Sequence, residues 1–337
     1  MRIVEITRPG GPEVLQIVEG PVPVPGRGEV LLQVLAASVN RPDIQQRRGL
    51  YPPPPGVTNI PGLDAAGRIA AVGEGVSGLA IGDAVCALTN GGAYADQVVV
   101  PAVQCMPVPA GFSFIEAASL PEALFTAWNN IIWLGRLGEA ETLLVQGGSS
   151  GVGMAGIQMA KLLRRARVFA TASTAEKRDA CTQLGADAVF DYREDWAGAI
   201  RRHAGEHCVD VALDAQAGPN VQVQLDLMAP DGRLVFIASH QGPTAEVNIR
   251  DLVRRRLTLT GSTLRPRPPA YKGKIAQALV AQVWPLLETG RMTTRIHSVF
   301  PLTQVQQAHA VLDANEQLGK VVLSLDEEQA RDVPGRA

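Results

Sequence analysis

Through Pro101 the apolar positions come in short runs punctuated by Gly and Pro: MRIVEI, LQIVEG, EVLLQVLAASV, AAGRIAAVG, DAVCAL and AYADQVVVP, set off by turns such as PGG, PGRG and GEG. Runs this short, rich in Val and bounded by turn formers, predict β-strands. Many in succession predict an antiparallel, partly open barrel. From about Ser119 the period changes. Apolar strands now alternate with helical patterns, in the order TLLVQ, VGMAGIQMAKLLRR, ARVFATAS, AEKRDACTQLG, DAVFDY, DVALDA, GRLVFIAS and LTLTGS. That alternation predicts an α/β fold, a doubly wound parallel sheet. RIHSVFPL and LGKVVLSL then flank the helical TQVQQAHAVLDANEQ, a closing segment expected to pack back on the β-rich part. The charged tail DEEQARDVPGRA is expected to be disordered. YPPPPGV reads as a stiff loop holding Tyr51.

With 337 residues the chain exceeds what one hydrophobic core usually supports, so two domains are expected. The texture changes set them at 1–122 with 266–337, and 123–265. The apolar fraction of 46% and charged fraction of 19% are those of a folded protein. A net charge of −2 supplies no field for nucleic acid or an anionic membrane, which leaves small ligands as the expected partners. No apolar stretch reaches membrane-spanning length, and the opening MRIVEITRPGGPEV lacks a signal-peptide layout, so a cytoplasmic protein is expected. Cys86, Cys105, Cys181 and Cys208 have no C-x-x-C spacing, and buried, inert thiols are expected.

The chemistry concentrates in LLVQGGSSGVGMAGIQMAKLL at 143–163. One reading is a phosphate cradle: a strand ends in a Gly turn and a helix begins near Gly151, presenting free N–H groups to an anion. Gly148, Ser150 and Gly153 fill the slots of G-x-G-x-x-G with serine in the middle. The other reading is a nucleophile elbow, since Gly147-x-Ser149-x-Gly151 formally matches G-x-S-x-G, with Asp214 and His240 following in the right order. The elbow needs an oxyanion loop upstream, and nothing before residue 143 resembles one. The cradle predicts a ribose-reading group at the end of the second strand. Ser173 stands there, 20 residues after Gly153, followed by Lys177 and Arg178 and by no acid. Hydroxyls and cations suit a 2′-phosphate, which points to NADP(H). Lys177 and Arg178 could equally be a solvated helix face.

At this point the chain resembles a known family. PGGPEVL at 9–15, NRPDIQQRRGLYPPPPG at 40–56, PGLDAAGRI at 61–69, GSSGVG at 148–153 and DANEQLGKVVL at 313–323 are similar to the zinc-free quinone oxidoreductases of the medium-chain dehydrogenase/reductase superfamily, most of all to the p53-inducible branch. The resemblance implies a GroES-like β-rich catalytic domain plus a Rossmann domain. Zinc-dependent relatives carry Cys near position 40 and Gly-His-Glu near 62, where this chain has Asn40 and Gly62-Leu63-Asp64, so no metal is expected.

By the same resemblance, Asn40, Asp43, Tyr51 and Ser150 are the candidate catalytic residues. The cofactor, NADPH, is assigned Asn40, Thr126, Gly148, Ser150, Gly151, Gly153, Ser173, Lys177, Tyr192, Ser239 and Lys320. A quinone accepts hydride without a Lewis acid, and Tyr51 could hydrogen-bond its oxygen as charge develops. Turn roles for Asn40 and Asp43 around Pro42, and loop packing for Tyr51, stay open. So do two other functions, an enone or enoyl-thioester reductase and a non-catalytic NADPH-binding sensor. LTLTGSTLRPR at 257–267 would be the last strand of the parallel sheet, and an apolar edge predicts a homodimer paired through 257–265.

Overall fold

The structure is a computed structural model that describes residues 1–326, so all of the tail except Asp326 lies outside the described residues. The described chain divides into two compact units, 1–125 with 264–326, and 126–263.

The first unit opens with an antiparallel hairpin of β1 (Arg2–Ile6) and β2 (Leu15–Glu19). Then follow β3 (Glu29–Val39), α1 (Arg41–Arg47), β4 (Asp64–Val72), β5 (Ala84–Leu88), β6 (Gln97–Pro101), β7 (Cys105–Pro107), α2 (Phe114–Ala118) and α3 (Pro121–Ala127). Strand β3 is the hub. It pairs antiparallel with β4 and with β6, and its buried face is a row of Val, Leu and Ala. Helix α1 starts where β3 ends because Asn40 and Asp43 form a capping box, with Pro42 in the first turn where its missing N–H costs nothing. Past Ala127 helix α3 widens into a π-helix at Trp128–Leu134, which no sequence period announces.

The second unit alternates as its pattern predicts: β8 (Thr142–Val145), α4 (Gly151–Arg164), β9 (Arg167–Ala172), α5 (Ala175–Gln183), β10 (Ala188–Asp191), α6 (Trp196–Ala204), β11 (Val209–Asp214), α7 (Asn220–Leu227), β12 (Met228–Phe236), α8 (Ile249–Arg255) and β13 (Thr258–Gly261). All its pairings are parallel, in the order β10-β9-β8-β11-β12-β13. This is the doubly wound order 3-2-1-4-5-6, whose direction reverses between β8 and β11. Strand β13 lies at the sheet edge, as the pattern predicts.

The chain then returns to the first unit through α9 (Pro269–Gln282), α10 (Trp284–Glu288), β14 (Ile296–Pro301), α11 (Val305–Asp313) and β15 (Lys320–Ser324). Strand β15 pairs antiparallel with β3, Val321 opposite Val39 and Val322 opposite Ser38. The expected return is therefore a strand addition that covers an open edge. Strand β14 pairs parallel with β15, so the sheet is not wholly antiparallel as expected. The reason is α11, whose crossover brings both strands in the same direction. Val305, Ala308 and Leu312 of α11 join Val4, Leu32, Ile44 and Tyr94 in the core.

The cysteines are all free. Cys86 and Cys181 are buried as expected, whereas Cys105 and Cys208 are only half-buried, because they sit at a strand start and in a loop.

Candidate functional sites

Each unit carries one site. In the second unit Val145 ends β8 at the reversal point of the sheet, where open α/β sheets bind ligands. Ser150 is the N-cap of α4: its Oγ accepts from the Gly153 N–H at 3.0 Å and donates to the Gly147 carbonyl at 2.9 Å. Gly151 opens the helix. A Cβ on Gly153 would lie 2.4 Å from the Gly147 oxygen and 2.7 Å from the Gly148 oxygen, so only glycine lets α4 seat this close to the turn. A Cβ on Gly148 would press against Ala170 and Cys181, at 2.8 and 3.0 Å. Both glycines are thus demanded by packing, and the turn keeps the form of an anion cradle.

The elbow reading fails on Asp214. That carboxylate is fully buried and accepts from the Gln216 N–H at 2.7 Å, the Ala217 N–H at 2.9 Å and Gln224 Nε2 at 2.9 Å. It closes a turn and orients no histidine.

At the end of β9 the Ser173 carbonyl accepts from Arg178 Nη1 at 2.7 Å and from Arg193. Both guanidiniums also hold Asp191, at 2.8 and 2.5 Å, and Arg193 pushes that carboxyl well below the usual carboxylate range. Lys177 lies in the first turn of α5, and Tyr192 is largely exposed one residue from Arg193. Arg178, Arg193 and Lys177 thus gather three cations at this strand end, beside the carboxylates of Asp191, Glu176 and Glu194. Arg193 is the residue that the sequence reading missed; its adjacency to Tyr192 was the available signal. Ser239 is exposed in the loop after β12 and Thr126 accepts through its carbonyl from Asn130 at 2.8 Å.

In the first unit the sequence candidates Asn40, Asp43 and Lys320 meet in one buried cluster. Asn40 Nδ2 donates to Asp64 Oδ1 at 3.0 Å, and Ser38 Oγ donates to the same oxygen at 2.6 Å. The Lys320 ammonium donates to Asn40 Oδ1 and stands 3.6 Å from Asp64 Oδ2. Asp64 was legible as a lone acid in the apolar strand DAAGRIAAV, where it requires a partner. Glu122 donates its N–H to Asp64 Oδ2 at 3.3 Å, and burial with the Asp64 charge pushes its carboxyl up to about 8.

Asp43 faces the other way. It is fully buried and accepts from the N–H groups of Asn40 at 2.8 Å and Gly62 at 3.0 Å and from the Tyr94 hydroxyl at 3.3 Å. Burial raises its pKa to about 7. Behind Tyr94, His309 Nε2 lies 3.3 Å from the hydroxyl, and Arg47 Nη1 lies 3.3 Å from Nδ1. Arginine can only donate, so Nδ1 accepts and Nε2 carries the proton. Burial, reinforced by Arg47, holds His309 neutral with its pKa down to about 3. The Asp43 carboxylate thus ties the α1 cap to the Gly62 backbone. The Tyr51 ring lies under the Arg265 guanidinium, 5.3 Å from ring centre to Cζ.

The donor set does not suit zinc. Asn40, Leu63 and Asp64 offer no thiolate or imidazole, and the Lys320 ammonium already fills the oxygen cluster. Among the described residues no group of three or more His, Cys, Asp and Glu side chains could hold a metal ion. Nor is any described helix long and apolar enough to cross a membrane.

A doubly wound unit inserted into a GroES-like one is the architecture of the medium-chain dehydrogenase/reductase superfamily. Residues 26–110 match the alcohol dehydrogenase GroES-like domain, and 151–280 match the family described as zinc-binding dehydrogenase. The quinone oxidoreductase of Lama guanicoe is 35% identical over 96% of this chain and 98% of its own length. Among solved structures, Escherichia coli quinone oxidoreductase complexed with NADPH superposes with a TM-score of 0.84 at 27% identity, covering 96% of this chain and all of that one. The JamJ enoyl reductase does so at 0.85 and 26%, covering 96% and 98%. The chain belongs to the quinone oxidoreductase family of the medium-chain dehydrogenases/reductases.

Proposed function

We propose that the protein is an NADPH-dependent quinone reductase that works without a metal. The observation that carries this reading is Lys320: its ammonium sits among Asn40 and Asp64, the positions that the sequence resemblance matches to the zinc-site stretches of metal-dependent relatives. With no Lewis acid to polarise an alcohol or a simple aldehyde, the acceptor must itself be electrophilic, as a quinone is.

The residues suit the cofactor. Gly148 and Gly153 keep the turn free of side chains, the first N–H groups of α4 are available to a pyrophosphate, and Arg178 and Arg193, which meet at the Ser173 carbonyl, with Lys177 on the first turn of α5, support a 2′-phosphate contact at the end of β9. When bound, the reduced nicotinamide supplies the hydride. The chain's own residues align and protonate: the capping box holds Asn40, Lys320 fixes its amide, and Tyr51 donates a proton to the acceptor oxygen.

The likeness to an NADPH-bound quinone oxidoreductase supports this assignment, and the likeness to an enoyl reductase favours a second reading, conjugate reduction of enones or enoyl thioesters. Exposed Ile249 and Val253 on α8, next in sequence to the β13 edge, support a homodimer. The test is kcat/KM for ortho- and para-quinones against enones and crotonyl thioesters with NADPH. Preference for quinones supports the first reading. Turnover confined to the conjugated carbonyls moves the protein to the second, and NADPH binding without turnover makes it a sensor.

A further inference from the structure

Arg265, in the loop before α9, is a buried cation whose acceptors are all neutral. Its Nε donates to the Asn90 carbonyl at 2.7 Å, its Nη2 to Gln46 Oε1 at 2.8 Å and its Nη1 to the Tyr51 carbonyl at 3.4 Å. Only 5% of it is exposed. Behind it Lys272, wholly buried on α9, donates to Asn90 Oδ1 and to the Arg265 carbonyl. Among the described residues no carboxylate forms an ion pair with either cation. Burial lowers the pKa of both, to about 8 for Lys272. Two like charges buried without a contacting carboxylate are costly, and a fold keeps them only where something else gains. The electron-rich face against the guanidinium is the Tyr51 ring, 5.3 Å from ring centre to Cζ.

We propose that Arg265 is the positioning residue that makes Tyr51 acidic enough to protonate the reduced acceptor. A fixed positive charge over the ring stabilises the phenolate more than the phenol, so it lowers the Tyr51 pKa. The hydride and its electron pair come from the nicotinamide, the acceptor becomes a quinol anion, and the proton passes from Tyr51 Oη to the quinol oxygen. Solvent then returns a proton to the phenolate. The other charges bearing on Arg265 are Asp43 on α1 and Glu122 on α3, whose negative charge tempers the effect; Lys272, lowered to about 8, is largely neutral where Tyr51 ionises. The inference rests on the quinone reductase reading for the acceptor and on this unit's geometry alone for the Arg265 and Tyr51 pair.

The test is an absorbance titration of phenolate in the unliganded protein, with the Tyr51→Phe protein subtracted to isolate Tyr51. The proposal expects Tyr51 to ionise about one pH unit below the ordinary tyrosine value of about 10. In R265Q the midpoint moves back up and the alkaline limb of kcat/KM for a quinone moves up with it. R265K, which keeps the charge, restores both toward wild type. A wild-type midpoint at or above the ordinary value overturns the proposal even if R265Q fails to fold. So does an unmoved midpoint in a folded R265Q, or a Tyr51→Phe protein that reduces quinones at the wild-type rate. Because the titration uses neither cofactor nor acceptor, its failure is distinguishable from failure of the acceptor panel.

Discussion

Lys320 on the last strand donates a hydrogen bond to Asn40, the cap of the first helix, across a sequence separation of 280 residues. Through that bond the returning segment fixes Asn40 at the cap of α1. K320M would leave Asp64 buried without its cation, and breaking a buried pair this way costs about 3–5 kcal/mol. Denaturant midpoints should therefore fall sharply in K320M and less in K320R. Equal losses in the two would show that the charge is not what matters.

Ser150 gives a cleaner separation of structure from chemistry. Its hydroxyl is engaged at the α4 cap, accepting from Gly153 and donating to Gly147. S150A should lose about 1 kcal/mol of stability. S150N, another good cap, should recover both stability and nucleotide affinity, whereas a chemical role for the hydroxyl predicts S150N to be as impaired as S150A.

Cofactor choice should reside in the cations at the end of β9. R193Q removes one guanidinium from Ser173, and losing a charge-assisted contact to phosphate is expected to lower the preference for NADPH over NADH about tenfold. Fluorescence titration with both nucleotides reads this directly. Weakening of NADH by the same factor would mean that Arg193 serves the turn and not the phosphate.

Much of this was written in local pattern. The β8, α4 and β9 unit follows from apolar runs and Gly spacing, and the return of β15 from GKVVLSL, apolar after its lysine. Asn40, Asp43 and Lys320 are named one by one, through resemblance and not through local pattern. What it could not show is their wiring. Tyr94 reaches Asp43 across 51 residues, His309 reaches Tyr94 across 215, and Arg47 reaches His309 across 262. No period carries such information, and a lone histidine on an amphipathic helix looks like any other. Arg265 in RPRPPAYKG likewise reads as a solvated loop residue until its burial is seen. The π-helix escapes for a related reason, since its apolar positions also satisfy an ordinary helix.

The buried titratable groups make stability depend on pH with opposing signs. Asp43 and Glu122, raised to about 7 and about 8, hold protons more tightly when folded, so they lower stability as pH rises from the ordinary carboxylate range through those values. His309, lowered to about 3, binds its proton more weakly when folded, so it raises stability from about pH 3 to its ordinary value near 6.5. The two trends oppose each other below about pH 6.5, and above it only the decline remains. Stability measured from pH 6.5 to 8 should fall in wild type and fall less in D43N. An equal slope in D43N would show that Asp43 does not contribute to the decline.

The most direct single measurement is nicotinamide oxidation by the purified protein with a para-quinone, after dialysis against a chelator, using NADPH and NADH in parallel. The expected result is quinone-dependent oxidation that prefers NADPH and is unchanged by the chelator. Activity that disappears with the chelator and returns with zinc would contradict the metal-free mechanism, because the Lys320, Asn40 and Asp64 cluster could not then be what replaces the metal.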